Sequence, residues 1–355
     1  MKLGGLLKGM RQRVPWSVAG RILKELDLPR GQGWERTIER LMDGNYKKKA
    51  IIDALEMALI EHVIYGEKLV RVYDLAKGEK ESLIKDLENV EIPKTNFSEN
   101  FPQALTPEEL ATGSPIPTLV SVQERNDSIC AIFGSVRTMQ SREAVSMEEM
   151  PEDSRGIFER FDEVVGIKHI KYEAFDVVLV SRHSPRVIVL VDYPDGAPKE
   201  NGLGIHLVVP RQLTEIVEYD YFTQPVNLFP LINAMYKTKG EGNVVELAFG
   251  TTTASLKHEK MRRQNTCLRE ETYHKGGKAA LRTQIEPHRL SINWKRALPS
   301  GASSIPELSL NTTSATAASP HPALFEAEIR RCMDADDFSF VQSKLEHFIS
   351  QRSKR

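Results

Sequence analysis

Apolar positions recur every three or four residues through much of the first ninety positions, and every second residue in much of the remaining chain. Val18, Ile22 and Leu26 form one stripe behind Pro15, which a first helical turn tolerates, and Pro29 with Gly31 and Gly33 stops it. The spacing predicts a second helix over 34–43, with Trp34, Ile38 and Leu41 on one face. It predicts a third from Lys48 to Val63, striped by Ile51, Ile52, Leu55, Leu59 and Val63. After Gly66, residues Leu69, Val70, Tyr73 and Leu75 supply a fourth apolar face, so 1–90 is expected to be a small all-α domain. Five prolines and an acidic character mark 91–117 as a linker.

From residue 118 the pattern turns to strands. Thr118 to Gln123, Ile129 to Val136, Phe175 to Val180 and Arg186 to Val191 are β-branched or apolar runs. Gly202 to Val209 alternates through Leu203, Ile205, Leu207 and Val209, which predicts another strand. A buried helix over 226–238 and a strand from Asn243 to Phe249 come next. The Ser, Thr, Ala and Pro content of 298–321 predicts a flexible loop, and the tail over 322–355 returns to helix at 323–333 and 337–351. The fold class is therefore α+β: a small all-α N-terminal domain, a mixed and mostly antiparallel α/β domain over 118–297, and a C-terminal helical tail. A chain of 355 residues, at roughly 150 residues per domain, fits two such domains.

Charge changes this picture more than composition does. The chain carries 48 basic and 49 acidic side chains, but they are segregated. Residues 1–50 hold 12 basic against 5 acidic, 79–165 hold 8 against 18, and 256–296 hold 11 against 4. Two blocks at +7 attract phosphate before any sequence is read. In the first block Lys47-Lys48-Lys49 opens a predicted helix, where positive charge opposes the macrodipole, and points to an anionic partner. In the second the candidate contacts are Lys257, Lys260, Arg262, Arg263, Arg269, Lys275 and Lys278, with His274-Lys-Gly-Gly-Lys278 read as a flexible basic loop. The bland alternative is a set of solvated faces. No apolar stretch approaches the length of a membrane span, and the start lacks a signal peptide's apolar run. Cys130, Cys267 and Cys332 are too few and too scattered for a disulfide framework or a zinc site, so an intracellular, reduced protein is expected.

Catalytic signatures are missing. No phosphate loop, dinucleotide fingerprint, H-E-x-x-H or G-x-S-x-G occurs, so no cofactor is expected. Asp176, Asp192 and Glu246 lie on or beside strands, as the carboxylates of a metal-dependent nuclease would, but Ala248 stands where such enzymes place a lysine. Glu271 and His274 have the spacing of a helical metal pair without a second pair to complete it, so no metal site is assigned.

The N-terminal run Gly20-Arg-Ile-Leu-Lys-Glu-Leu-Asp27, then Ala50-Ile-Ile-Asp-Ala-Leu55, then Glu67-Lys-Leu-Val-Arg-Val-Tyr-Asp-Leu-Ala-Lys-Gly78, resembles the helical domain of the centromere protein N family. Asn227-Leu-Phe-Pro-Leu-Ile-Asn-Ala and Val244-Val-Glu-Leu-Ala-Phe resemble a helix-then-strand passage of its second domain, and the stretch after 260 does not follow the family. The resemblance implies a non-enzymatic centromere protein of the nucleus that binds a histone-variant nucleosome through its basic N-terminal domain, with Lys8, Arg11, Lys47, Lys48 and Lys49 as the contacts to acidic histone surface or DNA, and that pairs with a related subunit through its second domain. The leading expectation is a non-catalytic DNA- or chromatin-binding protein. The alternatives are a microbial DNA-acting defence effector with a divergent nuclease core, and an oligomeric adaptor whose charge blocks bind one another.

Overall fold

A computed structural model describes residues 3–352 apart from 45, 47, 126, 147, 149, 196, 198, 252–254 and 282, and only the backbone of Asn201. The chain begins with α1 (Leu3–Arg13), α2 (Trp16–Glu25), α3 (Trp34–Asp43), α4 (Lys49–Tyr65), β1 (Lys68–Asp74) and α5 (Glu79–Asn89). The middle comprises α6 (Asn96–Asn100), α7 (Pro107–Thr112), β2 (Thr118–Arg125), β3 (Ser128–Ala144), α8 (Glu152–Phe158), β4 (Val165–Ser181), β5 (Arg186–Asp192) and α9 (Lys199–Val217). Next come α10 (Phe229–Lys237), β6 (Asn243–Gly250), β7 (Leu256–Lys260), α11 (Thr272–Ala280) and β8 (Glu286–Asn293). The chain closes with β9 (Arg296–Ala297), β10 (Ser303–Ser304), β11 (Glu307–Asn311), α12 (Ser314–Ala317), β12 (Glu326–Arg330) and α13 (Ala335–Arg352).

Ten strands form one sheet in the order β2-β3-β4-β5-β1-β12-β11-β8-β6-β7, with antiparallel pairings, and the fold is α+β as expected. Helices cover both faces. On one, Leu6, Leu7 and Met10 of α1 and Leu55, Leu59 and Val63 of α4 meet Phe175, Val177 and Leu190 of the sheet and Phe338, Val341 and Leu345 of α13. On the other, Leu83 and Leu87 of α5 and Val209 and Leu213 of α9 lie over Leu69, Val178 and Val189. Helix α1 opens with two glycines soon after Leu3 and has no acidic residue in its first turn, so its own propensity is poor. Its three fully buried side chains, at about 2 kcal/mol each, fix it by packing instead.

Several expected elements are corrected. Residues 68–74 are not a fourth helix but the central strand β1, hydrogen-bonded between β5 and β12, so the helical region expected over 1–90 is interrupted there. Gly202 to Val209 is not a strand but part of α9, whose buried stripe runs through Gly202, His206, Val209 and Leu213 at helical spacing and leaves Leu207 67% exposed. The expected linker at 91–117 holds α6 and α7 and buries Phe97 and Leu105. The expected loop at 298–321 contains β11, a strand inside the sheet, and the expected helix over 323–333 is instead β12, while α13 matches the helix expected at 337–351. His274-Lys-Gly-Gly-Lys278 is not a loop but lies in α11. The three cysteines are free, and no helix among the described residues is long and apolar enough to cross a membrane.

Candidate functional site

The three candidate carboxylates do not form one site. Asp176 on β4 and Asp192 at the end of β5 are joined by a 3.0 Å hydrogen bond from the Asp192 backbone N–H to Asp176 Oδ1. Yet Phe175 and Leu190 belong to one face of the sheet and Val178 and Val191 to the other, so alternation sends the two side chains to opposite faces. Fully buried Asp176 is held by Arg137. Asp192 accepts from Lys68 Nζ at 3.2 Å and lies 3.4 Å from Arg13 Nη1. Burial disfavours both ionised carboxylates and raises the Asp176 pKa, but at Asp192 the charges of Lys68, Arg13 and Arg137 outweigh it and hold the pKa below the usual range. Burial also lowers the Lys68 pKa, against the pull of Asp192.

Glu246 stands on β6, five strand spacings from β5, or about 24 Å across the sheet. It is ringed by His258 Nε2 at 2.9 Å, Arg289 Nη1 at 3.2 Å and Lys260 Nζ at 3.3 Å. Among the described residues no group of His, Cys, Asp or Glu side chains is arranged to hold a metal ion. Glu271 caps α11 by accepting from the His274 backbone N–H, and the buried His274 ring lies between Glu259, at 2.5 Å, and the Tyr236 hydroxyl, at 2.8 Å.

The basic residues of 256–296 divide. Lys257, Lys260, Arg262, Arg263, Lys275 and Lys278 are exposed around the edge strand β7 and helix α11. Lysines on an edge strand also block unwanted strand pairing, so their exposure by itself assigns no partner. Lys275 is paired with Glu270, and Lys278 Nζ donates to the Tyr236 hydroxyl at 3.0 Å. Arg269 leaves the candidate set. Its guanidinium donates to the carbonyls of Met235, Tyr236, Glu241 and Gly242 at 2.8–3.2 Å and closes the C-terminal end of α10.

In the N-terminal region Lys8, Arg11, Lys48 and Lys49 are exposed, and Lys47 lies outside the described residues. Arg11 pairs with Glu35 at 3.1 Å, which ties α1 to the start of α3. Beside that contact sits a feature that sequence reasoning missed. Trp16, Ser17, Gly20 and Arg21 of α2, Arg30, Gly31 and Gln32 of the following turn, and Arg36 and Arg40 of α3 line an open concavity of about 540 Å³. Four of its nine lining residues are arginines and none is acidic. The turn is built to present them. Gly33 has φ 100°, a conformation that favours glycine, and a side chain at Gly31 would collide with the Arg36 Cβ. Gly31 N–H donates to Thr37 Oγ1 at 2.7 Å, and that hydroxyl donates to the Gly33 carbonyl at 2.8 Å. Arg30 Nη1 donates to the Gly20 carbonyl at 2.9 Å and Arg40 Nη1 to the Arg30 carbonyl at 2.7 Å. Each guanidinium carries five N–H donors, so most remain available for an anion. The available signal was Arg36 and Arg40, four apart on the predicted helix over 34–43.

Comparison with protein-family models and with curated proteins finds no match to this chain.

Proposed function

We propose that this chain is a non-catalytic nucleic-acid-binding protein, with duplex DNA, free or on a nucleosome, as its partner. The observation that carries the reading is the concavity lined by Arg21, Arg30, Arg36 and Arg40 without an acidic side chain. Guanidinium groups match phosphate oxygens in geometry and in charge, and each phosphate neutralised releases counterions. Lys8, Arg11, Lys48 and Lys49 extend the positive surface of the same helical region, and the exposed lysines and arginines of 256–296 offer a second contact. The resemblance to the centromere protein N family supports a chromosomal location and a related subunit as a second partner. The separation of Glu246 from Asp176 and Asp192 argues against the nuclease alternative.

Fluorescence anisotropy with a labelled duplex tests the reading. Arg36→Glu combined with Arg40→Glu, with the fold checked by circular dichroism, should weaken binding by tenfold or more. It should also flatten the salt slope by about two units, one per phosphate contact removed. Unchanged affinity and slope in a folded variant would overturn it.

A further inference from the structure

The concavity between α2 and α3 holds an aromatic ring as well as its arginines. Trp16, the first residue of α2, is half-buried and lines it beside Gly20. Trp34, the first residue of α3, meets Trp16 edge-on, with ring centroids 5.7 Å apart and the planes at 67°. The Trp34 Nε1–H donates to the Val14 carbonyl at 3.0 Å, so the ring that supports Trp16 is itself anchored.

Gly20 lies one turn after Trp16 on the same helix. Glycine inside a helix is unfavourable, and here its use is a close approach. A Cβ at Gly20 would sit 3.7 Å from Trp16 Cζ2 and 3.8 Å from Cε2. A longer side chain would therefore lie along the indole, whereas glycine leaves that part of the ring open to the concavity that both residues line.

The arginines are not equally engaged. Arg30 and Arg40 each give one N–H to a carbonyl of the α2–α3 region, but Arg36 has no hydrogen bond or ion pair among the described residues. The concavity thus offers a free guanidinium and an aromatic ring within about 540 Å³, inside the roughly 300–1,000 Å³ of ligand pockets. A duplex can use only the guanidinium, because its bases are stacked on one another. An unpaired nucleotide can use both, since every base has a face that stacks on an aromatic ring.

From the open indole beside the unpaired Arg36, we infer that the concavity takes an unpaired nucleotide of a nucleic-acid strand. Its phosphate sits on Arg36 and Arg40 and its base stacks on Trp16, so the protein prefers a duplex with a single-stranded overhang to a blunt one. This rests on the reading of the concavity as a phosphate site and adds the state of the strand that it selects.

The test uses the full chain and three labelled duplexes of one sequence: blunt, with a 3′ overhang of two thymidines, and with the same overhang made abasic. The abasic probe carries the same added phosphates without a base. The thymidine overhang should bind at least fivefold more tightly than either of the other two. Trp16→Leu, which removes the ring, and Gly20→Leu, which covers it and favours helix, should each bring the ratio of overhang to blunt affinity to about one. Equal binding of blunt and overhang duplexes would overturn the inference and leave the duplex reading standing. An abasic overhang that binds as well as the thymidine one would do the same. A ratio unchanged in whichever of the two variants folds, or displacement of the overhang by an equal concentration of thymidine triphosphate, would also overturn it. Failure of all three duplexes to bind would remove the duplex reading and this inference with it.

Discussion

Removing the charge of Asp192 tests whether the cluster under β1 is a matched ion set. Lys68 is fully buried, and its Nζ has two partners, Asp192 Oδ1 at 3.2 Å and the Phe175 carbonyl at 2.7 Å. Asp192→Asn keeps the shape but leaves Lys68 and Arg13 without that carboxylate. Breaking a buried pair from one side costs about 3–5 kcal/mol. An independent bound agrees: Lys68 could release its proton, and taking it from pKa ~10.4 to pH 7 costs about 1.36 × 3.4, or ~5 kcal/mol. Urea denaturation at pH 7 should therefore show a loss of about 3–5 kcal/mol at constant m-value. Adding Lys68→Met should recover much of it, because the orphaned charge is then gone. A loss below about 1 kcal/mol, the range of an exposed pair, would refute the reasoning, as would a double variant no more stable than the single one.

Burial lowers the pKa values of His62, to about 4, and of His206, so neither imidazole resonance should titrate between pH 7.5 and 5 by NMR; a midpoint near 6.5 in either would contradict this. Because the unfolded chain takes up those protons first, stability should fall as pH drops from about 6.5 towards 4, by about 3 kcal/mol for His62 alone. Arg269→Ala should destabilise the protein by about 2–4 kcal/mol through the uncapped carbonyls of α10 and leave the salt slope of DNA binding unchanged, whereas Arg262→Glu with Arg263→Glu should weaken duplex binding by about tenfold at constant stability. Incubation with duplex DNA and Mg²⁺ or Mn²⁺ should give no cleavage; cleavage lost in Asp192→Ala would reinstate the nuclease alternative.

Helices with one polar face were legible in the sequence. The stripe of Trp34, Ile38 and Leu41 is α3, and the run from Lys48 to Val63 is α4 nearly to its end. Strand β1 was not legible, because it is buried on both faces, charged Lys68 and Arg71 included, so its apolar residues do not alternate with polar ones, and Leu69, Val70 and Tyr73 also fit helical spacing. Strand β12 sits among good helix formers, and pairing with β1 and β11 overrides that propensity. In α9 the alternation of Leu203, Ile205 and Leu207 was accidental, since the buried stripe is carried by Gly202 and His206 as much as by Val209 and Leu213. The carboxylates at 176 and 192 were visible as positions, but Lys68 and Arg13, which neutralise Asp192, lie more than a hundred residues away. The arginine concavity needs α2, a left-handed glycine and α3 together, and no local pattern contains all three.

The central claim is that the α2–α3 concavity is where the phosphate backbone docks. Hydrogen–deuterium exchange of the full chain with and without a short duplex tests it most directly. Exchange should slow over residues 16–40, centred on the turn at Arg30 to Gly33, with any further protection on β7 and α11. Protection restricted to β7 and α11, with residues 16–40 unchanged at saturating duplex, would contradict it.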